Sequence, residues 1–394
     1  MQTRKAALPL FLAVAVFMTA TAAISDQPVA FGDPIAGLTA QQQELFADGK
    51  ADFAEVESVA DGLGPVFNGR SCAECHSVPA VGGGSERTVT RFGTTTNGQF
   101  DPLAQFGGSL IQDHGIKRAD GSTHDFDAES VPAPATIVAH RRTPPLFGLG
   151  FVDAVPDSDF VVLAAQEAQR GDGTAGRVNM VFNPATGTTT VGKFGWKSQV
   201  PSLFVFSGDA YLNEMGITNP MFPNENCPNG DCKQLKWNPR PDLNDLGDGV
   251  AKFNNYMTML GAPPRGAITA DVTAGEQVFA LIGCASCHVA TLHTGHSDIA
   301  ALDNVVFHPY SDFLIHDMGP LGDGIAMAQA TGREVRTAPL WGLRTITRFL
   351  HDGRAATLDA AILAHDGQGR AARDAFAALD AGARAKLMAF LNSL

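Results

Sequence analysis

Hydrophobic and polar residues along this chain follow a helical period in some segments and form short β-prone runs in others. The segment 153–170 has helical spacing, with Phe160, Leu163 and Ala164 on one face. Further helices are predicted over 41–47, 51–60, 242–256, 357–365 and 382–394, and strands over 88–92 and 188–193. Another helix is expected to begin near Thr273, with Glu276 at capping-box spacing. The pattern predicts a mainly α fold with small β-hairpin and loop insertions.

The amino terminus has a different pattern. A basic pair, Arg4 and Lys5, precedes an apolar run over 6–18 and then small residues over 19–23. This order is typical of a signal peptide, here 1–23, cleaved near Ala22 or Ala23. The run is shorter than the roughly 20 residues that a membrane span needs, although an uncleaved anchor is the alternative. We therefore expect an exported, periplasmic protein with no membrane span.

The charge, length and cysteine content of the chain exclude several classes of protein. The 394 residues include 28 Lys and Arg against 41 Asp and Glu, a net charge of −13, which argues against a nucleic-acid partner. The length suits two domains of ordinary size, and 42 glycines with 23 prolines indicate many loops. Six cysteines are too few for a disulfide scaffold.

Four of the cysteines belong to two CxxCH motifs, Cys72-Ala-Glu-Cys75-His76 and Cys284-Ala-Ser-Cys287-His288. In an exported chain this motif attaches haem c, with the histidine as proximal iron ligand. Zinc is the alternative, but no second CxxC stands at zinc-ribbon spacing. The other two cysteines, Cys227 and Cys232, frame a turn and predict a local disulfide that holds a loop.

A weak internal repeat suggests how the chain is organised. The segment 142–149, Arg-Thr-Pro-Pro-Leu-Phe-Gly-Leu, matches 336–343, Arg-Thr-Ala-Pro-Leu-Trp-Gly-Leu, and each follows a CxxCH. We expect two tandem cytochrome c-like haem domains. The N-terminal domain, 38–260, contains the loop and β-hairpin insertions, and the C-terminal domain, 266–394, does not. The stretch Gly261-Ala-Pro-Pro-Arg-Gly266 reads as the linker between them.

Together these motifs resemble the bacterial di-haem cytochrome c peroxidase superfamily, and more closely its di-haem oxidoreductase branch. The resemblance also rests on Phe349-Leu-His-Asp-Gly-Arg-Ala-Ala-Thr-Leu358, Tyr310-Ser-Asp-Phe-Leu-Ile-His-Asp-Met-Gly319 and Phe194-Gly-Trp-Lys197. It implies two covalently bound haem c groups, with electrons passing from the C-terminal to the N-terminal haem.

The resemblance also implies iron ligands. In the peroxidases a methionine ligand follows the His-Asp-Gly motif, and the matching position here is His365, fourteen residues after His351. A bis-histidine centre of His288 and His365 is therefore expected, with Met318 as the alternative to His365. The relatives' capping histidine of the first haem has no counterpart in 88–92. We expect an open or weakly capped His76 haem, with His114, His124 and His140 as the remaining candidate caps.

Three catalytic residues are carried over from the same resemblance. Glu214, in Asn213-Glu-Met-Gly216, corresponds to the distal acid and base that moves a proton between peroxide oxygens. Gln199 lies near the position of a second distal polar group, and Trp196 resembles the tryptophan between the two haems. In other settings a lone glutamate is solvated and a buried tryptophan belongs to the core.

The sequence does not decide the role of five arginines or the presence of a calcium site. Arginines before the His351 motif and in the first repeat either pair with haem propionates or are solvated; they are Arg141, Arg142, Arg336, Arg344 and Arg348. Relatives hold calcium between the domains, partly through backbone carbonyls, which leave no side-chain trace. The acidic stretch 242–248 is not an EF-hand, because Phe253 stands at its twelfth position.

The leading hypothesis is an enzyme that takes electrons from a small redox protein and reduces hydrogen peroxide. The first alternative is a haem enzyme that activates dioxygen or oxidises a protein or organic substrate. The second is a two-haem electron carrier without catalysis, since fold resemblance alone does not choose among them.

Overall fold

The structure is a computed structural model that describes residues 29–394. Helices take up 36% and strands 15% of it, so the fold is mixed and the prediction of a mainly α chain is too narrow. Strands between Val66 and Gly192 account for most of the difference. None of the helices within 29–394 combines the length and apolar character that a membrane span requires. The predicted signal peptide, 1–23, lies outside the described residues.

The helices are listed here in chain order: α1 (Ala40–Ala54), α2 (Cys72–Cys75), α3 (Leu149–Asp153), α4 (Asp157–Arg170), α5 (Leu203–Met215), α6 (Asp248–Met259), α7 (Ala270–Leu281), α8 (Leu358–Leu363), α9 (Arg370–Ala377) and α10 (Ala381–Leu391). Several begin at a side chain that accepts a hydrogen bond from the first helical turn: Thr39, Ser71, Ser202, Thr269, Thr357 and Asp380.

Some predicted boundaries are wrong for reasons that the contacts explain. Helix α7 begins one turn before Thr273, because Thr269 is extended and its hydroxyl accepts the Val272 amide. The predicted helix 153–170 is divided at Pro156, which separates α3 from α4.

Further boundaries differ at other helix ends. Helix α1 ends at Ala54 instead of near 60, and α6 begins at Asp248 instead of 242, because Asn244 bonds Thr218 in a loop. Helix α9 was not predicted from the sequence pattern.

The strands form small antiparallel units. They are β1 (Val66–Phe67), β2 (Thr88–Thr96), β3 (Gln99–Asp101), β4 (His114–Gly115), β5 (Ile137–Arg142), β6 (Asn179–Asn183), β7 (Thr188–Gly192), β8 (Leu292–His293), β9 (Val306–Phe307), β10 (Ile315–Asp317) and β11 (Glu334–Arg336). Strand β2 pairs with β3 and β5, and β6 with β7, so both predicted β-runs are confirmed. The predicted Cys227–Cys232 disulfide is also present.

Two helix pairs have the same internal pattern. In the first, α1 crosses α6 at Gly49, where a Cβ would overlap the Lys252 carbonyl, and Phe53 packs on Tyr256 with ring centroids 4.9 Å apart. The close approach therefore requires glycine at this crossing.

In the second pair, α7 crosses α10 at Gly275, where a Cβ would overlap the Lys386 carbonyl, and Phe279 packs on Phe390 at 5.2 Å. Each crossing lies in a separate buried hydrophobic cluster, one spanning Ile35 to Trp341 and one spanning Val272 to Leu394. Each phenylalanine also approaches the histidine of one CxxCH motif. The ring centroids are 6.1 Å apart for Phe53 and His76 and 6.2 Å apart for Phe279 and His288.

Candidate functional site

The second CxxCH motif follows α7 directly. Residues Cys284–Ser286 form a 3-10 turn, and the His288 amide donates to the Cys284 carbonyl at 3.0 Å. The His288 Nδ1 lies 2.9 Å from the Tyr310 carbonyl oxygen. Because a carbonyl only accepts, Nδ1 carries the proton and Nε2 keeps its lone pair. This tautomer leaves Nε2 free to bind a metal.

A cavity of about 420 Å³ adjoins this motif. Its walls are mainly apolar, with Leu340, Leu358 and Leu387 among them. Among its polar and sulfur-bearing lining residues are Arg142, Trp196, Cys284, Cys287, His288, His316, Met318, Arg336, His351, His365 and Arg373. An apolar chamber with two thiols, three arginines and several imidazoles on its walls fits a haem, which has a large apolar face and two carboxylates.

His365 lies in the same cavity as His288. Its Nδ1 is 2.8 Å from the Ala361 carbonyl oxygen, one turn earlier in α8, so its Nε2 is also free to bind a metal. Burial, followed by the charge of His365, lowers the pKa of His288 to about 4. Met318 lines the cavity as well, and both side chains crowd Gly369.

Two of the five candidate arginines line the cavity, Arg142 and Arg336. Burial lowers the pKa of each to about 10, so both remain charged at neutral pH. Arg142 Nε donates to the Leu350 carbonyl and Arg336 Nε to the Gly195 carbonyl, which leaves further guanidinium N–H groups for a carboxylate.

The other three candidate arginines have protein partners. Arg141 forms a buried ion pair with Asp323, Arg344 donates to the Leu394 carbonyl, and Arg348 lies 4.0 Å from Glu86.

Trp196 lies where the two repeats meet. Its indole N–H donates to the Arg142 carbonyl at 2.9 Å, and its ring meets His351 edge-on at 6.2 Å. The Arg142 amide in turn donates to the His351 carbonyl. His351 is buried, its Nε2 has no partner among the described residues, and burial lowers its pKa to about 4. Sequence analysis gave His351 no role beyond its motif.

The first CxxCH motif forms the single turn α2, capped by Ser71. His76 Nδ1 lies 3.0 Å from the Gly83 carbonyl oxygen, so this imidazole has the same tautomer as His288. Burial lowers its pKa to about 4. The loop turns back so tightly that a Cβ on Gly83 would collide with the Val78 carbonyl, which explains the glycine-rich sequence there.

Glu214, at the end of α5, lies beside this first motif. Its carboxyl oxygen accepts a 2.8 Å hydrogen bond from the Asn68 side chain, and its backbone carbonyl accepts the Asn68 and Gly69 amides. Burial raises the pKa of Glu214, and its charge contributes to the raised pKa of both Cys72 and Cys75. The structure therefore brings the predicted acid close to the first pair of thiols.

Arg91 and Asp209 share this environment and were missed by sequence analysis. Arg91 projects from β2, donates to Ser109, and has a buried Nε without a partner among the described residues. Burial and then Arg141 lower the pKa of Arg91 to about 10, while Glu214 and Asp209 act in the opposite sense. The only signal was its place in the 88–92 segment, where relatives have a histidine.

Gln199 is held by its own turn. Its side-chain oxygen accepts the Lys197 amide at 3.0 Å and its amide group crowds Gly195. These contacts do not bring it to Glu214.

The three histidines considered as caps have other partners. His114 stacks on Phe67, His124 stacks on Trp237, and His140 bonds Thr90. The ring of each histidine therefore contacts a protein side chain that the sequence did not predict.

The four CxxCH thiols differ from the remaining cysteines. Cys72, Cys75, Cys284 and Cys287 are not joined to one another, whereas Cys227 and Cys232 form the disulfide. Burial raises the pKa of all four thiols, so they stay protonated in this partly apolar setting. Free thiol pairs next to imidazoles with available Nε2 atoms fit covalent attachment and ligation of haem at both motifs.

Comparison with known proteins identifies one family. The model of the family described as di-haem oxidoreductase, putative peroxidase, matches residues 133–394. No curated protein matches the chain.

Solved structures to which the chain is similar include a hydrazine synthase of Kuenenia stuttgartiensis and a MauG-like protein associated with microbial copper homeostasis. The first is 15% identical, covers 98% of this chain and 100% of its own, and has a TM-score of 0.39. The second is 14% identical, covers 95% of each chain, and has a TM-score of 0.38.

Proposed function

The chain belongs to the family described as di-haem oxidoreductase, putative peroxidase, and from this premise we propose that it is a periplasmic enzyme that reduces hydrogen peroxide. A small redox protein would deliver electrons at the His288 motif, from which they would pass to the His76 motif. One covalently attached haem c at each motif would supply the iron and carry the electrons. Overall, H₂O₂, two electrons and two protons give two molecules of water.

The observation that carries this proposal is the buried carboxyl group of Glu214 beside the first CxxCH. Reduction of peroxide requires one group that takes a proton from the near oxygen and returns it to the leaving oxygen. Because the pKa of Glu214 is raised by burial, its carboxyl group exchanges a proton more readily near neutral pH. The Asn68 hydrogen bond fixes the orientation of that carboxyl group.

Arg91 gives the same region a buried positive charge near Glu214 and Asp209. A fixed guanidinium favours a developing negative charge on a peroxide oxygen, which is electrostatic stabilisation of the kind that enzymes use widely. In this proposal Gln199 stabilises the turn that carries Trp196, through its hydrogen bond with the Lys197 amide. Trp196 would lie on the electron path between the two motifs.

We propose that His288 and His365 would together hold the iron of the haem at the second CxxCH motif, with Met318 as a neighbour in the cavity lining. In support, each imidazole has its Nδ1 proton committed to a backbone carbonyl and lines the same cavity. Arg142 and Arg336 would hold the carboxylates of that haem, because both are buried on the cavity wall and charged.

The proposed division into two tandem haem domains is supported by the paired helices. Gly49 and Phe53 in α1 have the same spacing as Gly275 and Phe279 in α7. Lys252 and Tyr256 opposite the first pair repeat the spacing of Lys386 and Phe390 opposite the second. We assign the first domain to 38–260 and the second to 266–394.

The test begins with the resting ferric protein, purified from the periplasm with both haems attached. We expect its absorption and EPR spectra to contain one high-spin and one low-spin centre, and Glu214→Gln to lower peroxide turnover by about 10²- to 10⁴-fold. Two low-spin centres that do not react with peroxide would instead indicate an electron carrier. Unchanged turnover in Glu214→Gln would reject its role as acid and base.

A further inference from the structure

A buried lysine beside Trp196 is surrounded by oxygen atoms. The Lys197 side chain is 1% exposed, and its Nζ lies 2.6 Å from the Glu334 carbonyl, 2.9 Å from an Asp323 carboxylate oxygen and 3.0 Å from the Thr331 carbonyl. The Gly332 carbonyl lies at 3.4 Å. An ammonium group has three N–H donors, so these oxygens satisfy all of them.

The oxygen atoms around Lys197 Nζ, which we call the oxygen cage, are of the types that bind calcium, but they are not at the distances of a calcium site. Calcium is bound by carboxylates and backbone carbonyls at about 2.3–2.6 Å. The distances here are those of N–H···O hydrogen bonds, and the centre of the cage is the nitrogen atom of the chain itself. The family resemblance left calcium open, and this oxygen-rich place is filled by an ammonium group.

The local charges also oppose a divalent ion. Asp323 is shared by Lys197 and Arg141, and all three side chains are at most 4% exposed. Burial alone would raise the pKa of Asp323, but the two cations outweigh it and lower that pKa, so one carboxylate already faces two positive charges. A calcium ion added here would be repelled by both cations in a medium of low dielectric constant.

Side chains elsewhere do not offer a calcium site either. Within 29–394, the group of three or more acidic, histidine or cysteine ligands close enough to share an ion is Cys287, Asp312 and His316. It contains one carboxylate and a thiol of the second CxxCH, whereas calcium prefers several oxygen ligands. The side chains of residues 29–394 therefore provide no cluster of carboxylates suited to calcium.

Lys197 connects parts of the chain that are far apart in sequence. The Lys197 backbone carbonyl accepts a hydrogen bond from the Asn179 side-chain amide, and the neighbouring Trp196 carbonyl accepts one from the Arg336 backbone amide at 2.8 Å. Every oxygen around its ammonium group belongs to the segment between Asp323 and Glu334. The lysine thus ties the Trp196 turn to the second half of the molecule.

We propose that the Lys197 ammonium group is a permanent internal cation that replaces calcium and positions Trp196 against the second half of the chain. It acts as a positioning residue, through the turn that carries Trp196. A covalently attached cation cannot be removed by a chelator, so the haem centres keep their properties at any calcium concentration.

The first experiment uses the wild-type holoprotein with excess EGTA or millimolar CaCl₂. We expect the thermal unfolding temperature and the midpoint potentials of both haems to be the same in each condition. A fall in unfolding temperature with EGTA that CaCl₂ reverses would overturn the proposal. The inference rests on the proposed haem at His288 but not on peroxide turnover, so a failure of Glu214→Gln leaves it intact.

The second experiment compares Lys197→Met with Lys193→Met. Lys193 is a matched control because it is also buried, in the same hairpin region, and donates to the Asp153 and Val155 carbonyls, all within the first half. We expect both variants to unfold at lower temperature. Only Lys197→Met should lower the midpoint potential of the His288 haem, because it alone removes a positive charge bonded to the second half of the chain, which carries His288, and that loss favours the ferric form.

The haem potential and the unfolding temperature of the Lys197 variants can each contradict the proposal. A Lys197→Met protein with an unshifted potential, or one whose unfolding temperature is restored by CaCl₂, would contradict the proposal. If Lys197→Met does not fold, Lys197→Arg retains the positive charge and is expected to keep the wild-type potential and the indifference to EGTA. A calcium requirement in Lys197→Arg, or a lowered potential, would count against it.

Discussion

The side-chain amide of Asn68 donates a 2.8 Å hydrogen bond to the buried carboxyl group of Glu214, although the two residues are 146 positions apart in the chain. The Asn68 side-chain oxygen accepts the Asp113 amide at the same time. This single residue, four positions before Cys72, therefore holds the proposed acid and base next to the first CxxCH. The pair connects the end of α5 to the segment that leads into the haem-binding turn.

Asn68→Ala should shift the pH profile of peroxide turnover. The Asn68 hydrogen bond favours the charged carboxylate, so its loss raises the pKa of Glu214 further. Glu214 must be ionised to accept the first proton, and the acid limb of kcat/KM should therefore move to higher pH. The measurement is kcat/KM against pH with a constant electron donor.

Gln112→Ala provides the control for this shift. Its side chain also bonds the α5 terminus, but through the Asn213 carbonyl and not through the Glu214 carboxyl group. We expect Gln112→Ala to leave the acid limb in place even if it lowers stability. Equal shifts in both variants would show that loosening of the segment, and not the hydrogen bond, sets the profile.

Glu225 should make the protein less stable as pH rises. Burial raises its pKa to about 8, one carboxyl oxygen accepts the Asn226 amide, and the other is buried without a partner among the described residues. The folded state thus holds a proton that the unfolded state releases near pH 4.5. Its stabilising contribution is complete below pH 4.5 and is lost as pH rises to about 8.

Glu225→Gln removes this titration while keeping an oxygen for the Asn226 amide. The wild type should lose a few kcal/mol of unfolding free energy between pH 4.5 and 8 that the variant retains. Urea unfolding at several pH values measures the difference. A variant that parallels the wild type at every pH would show that Glu225 is not protonated in the folded protein.

The helix crossings test the two-domain proposal. Gly275→Ala places a methyl group against the Lys386 carbonyl and should lower stability by about 1–3 kcal/mol. Because Phe279 approaches His288, we expect the spectrum of the His288 haem alone to change.

Gly49→Ala is the matched variant in the first pair, where a Cβ would meet the Lys252 carbonyl and Phe53 approaches His76. It should perturb the spectrum of the His76 haem alone. EPR of both variants separates the two effects. Changes at both haems in either variant would mean that the two helix pairs do not belong to separate domains.

Local sequence patterns predicted much of this structure. The two β-runs and the Cys227–Cys232 disulfide depend on nearby residues and were confirmed. The Gly-x-x-x-Phe spacing shared by α1 and α7 was also visible in the sequence, but it gains meaning only when each glycine is seen against a partner helix.

Contacts between distant segments could not be predicted in the same way. Nothing near Asn68 indicates that it would meet Glu214, and nothing near Lys197 indicates carbonyls from Thr331 and Glu334. Glu214 was identified through a family resemblance, and its burial then explains its altered pKa. Long-range packing decides which polar groups lose their water, and the local pattern does not contain that information.

His365 and Met318 give the most direct test of the second haem's ligand. Both line the cavity beside His288, but the Nδ1 proton of His365 is held by the Ala361 carbonyl, which leaves a lone pair on Nε2 two residues after the end of α8. Imidazole binds ferric iron more strongly than a thioether and lowers the reduction potential. His365→Ala should therefore convert the low-spin EPR signal to high spin, while Met318→Leu should leave it unchanged. His365→Met should keep a low-spin centre and raise its midpoint potential. If Met318→Leu abolishes the low-spin signal and His365→Ala does not, the ligand is the thioether of Met318.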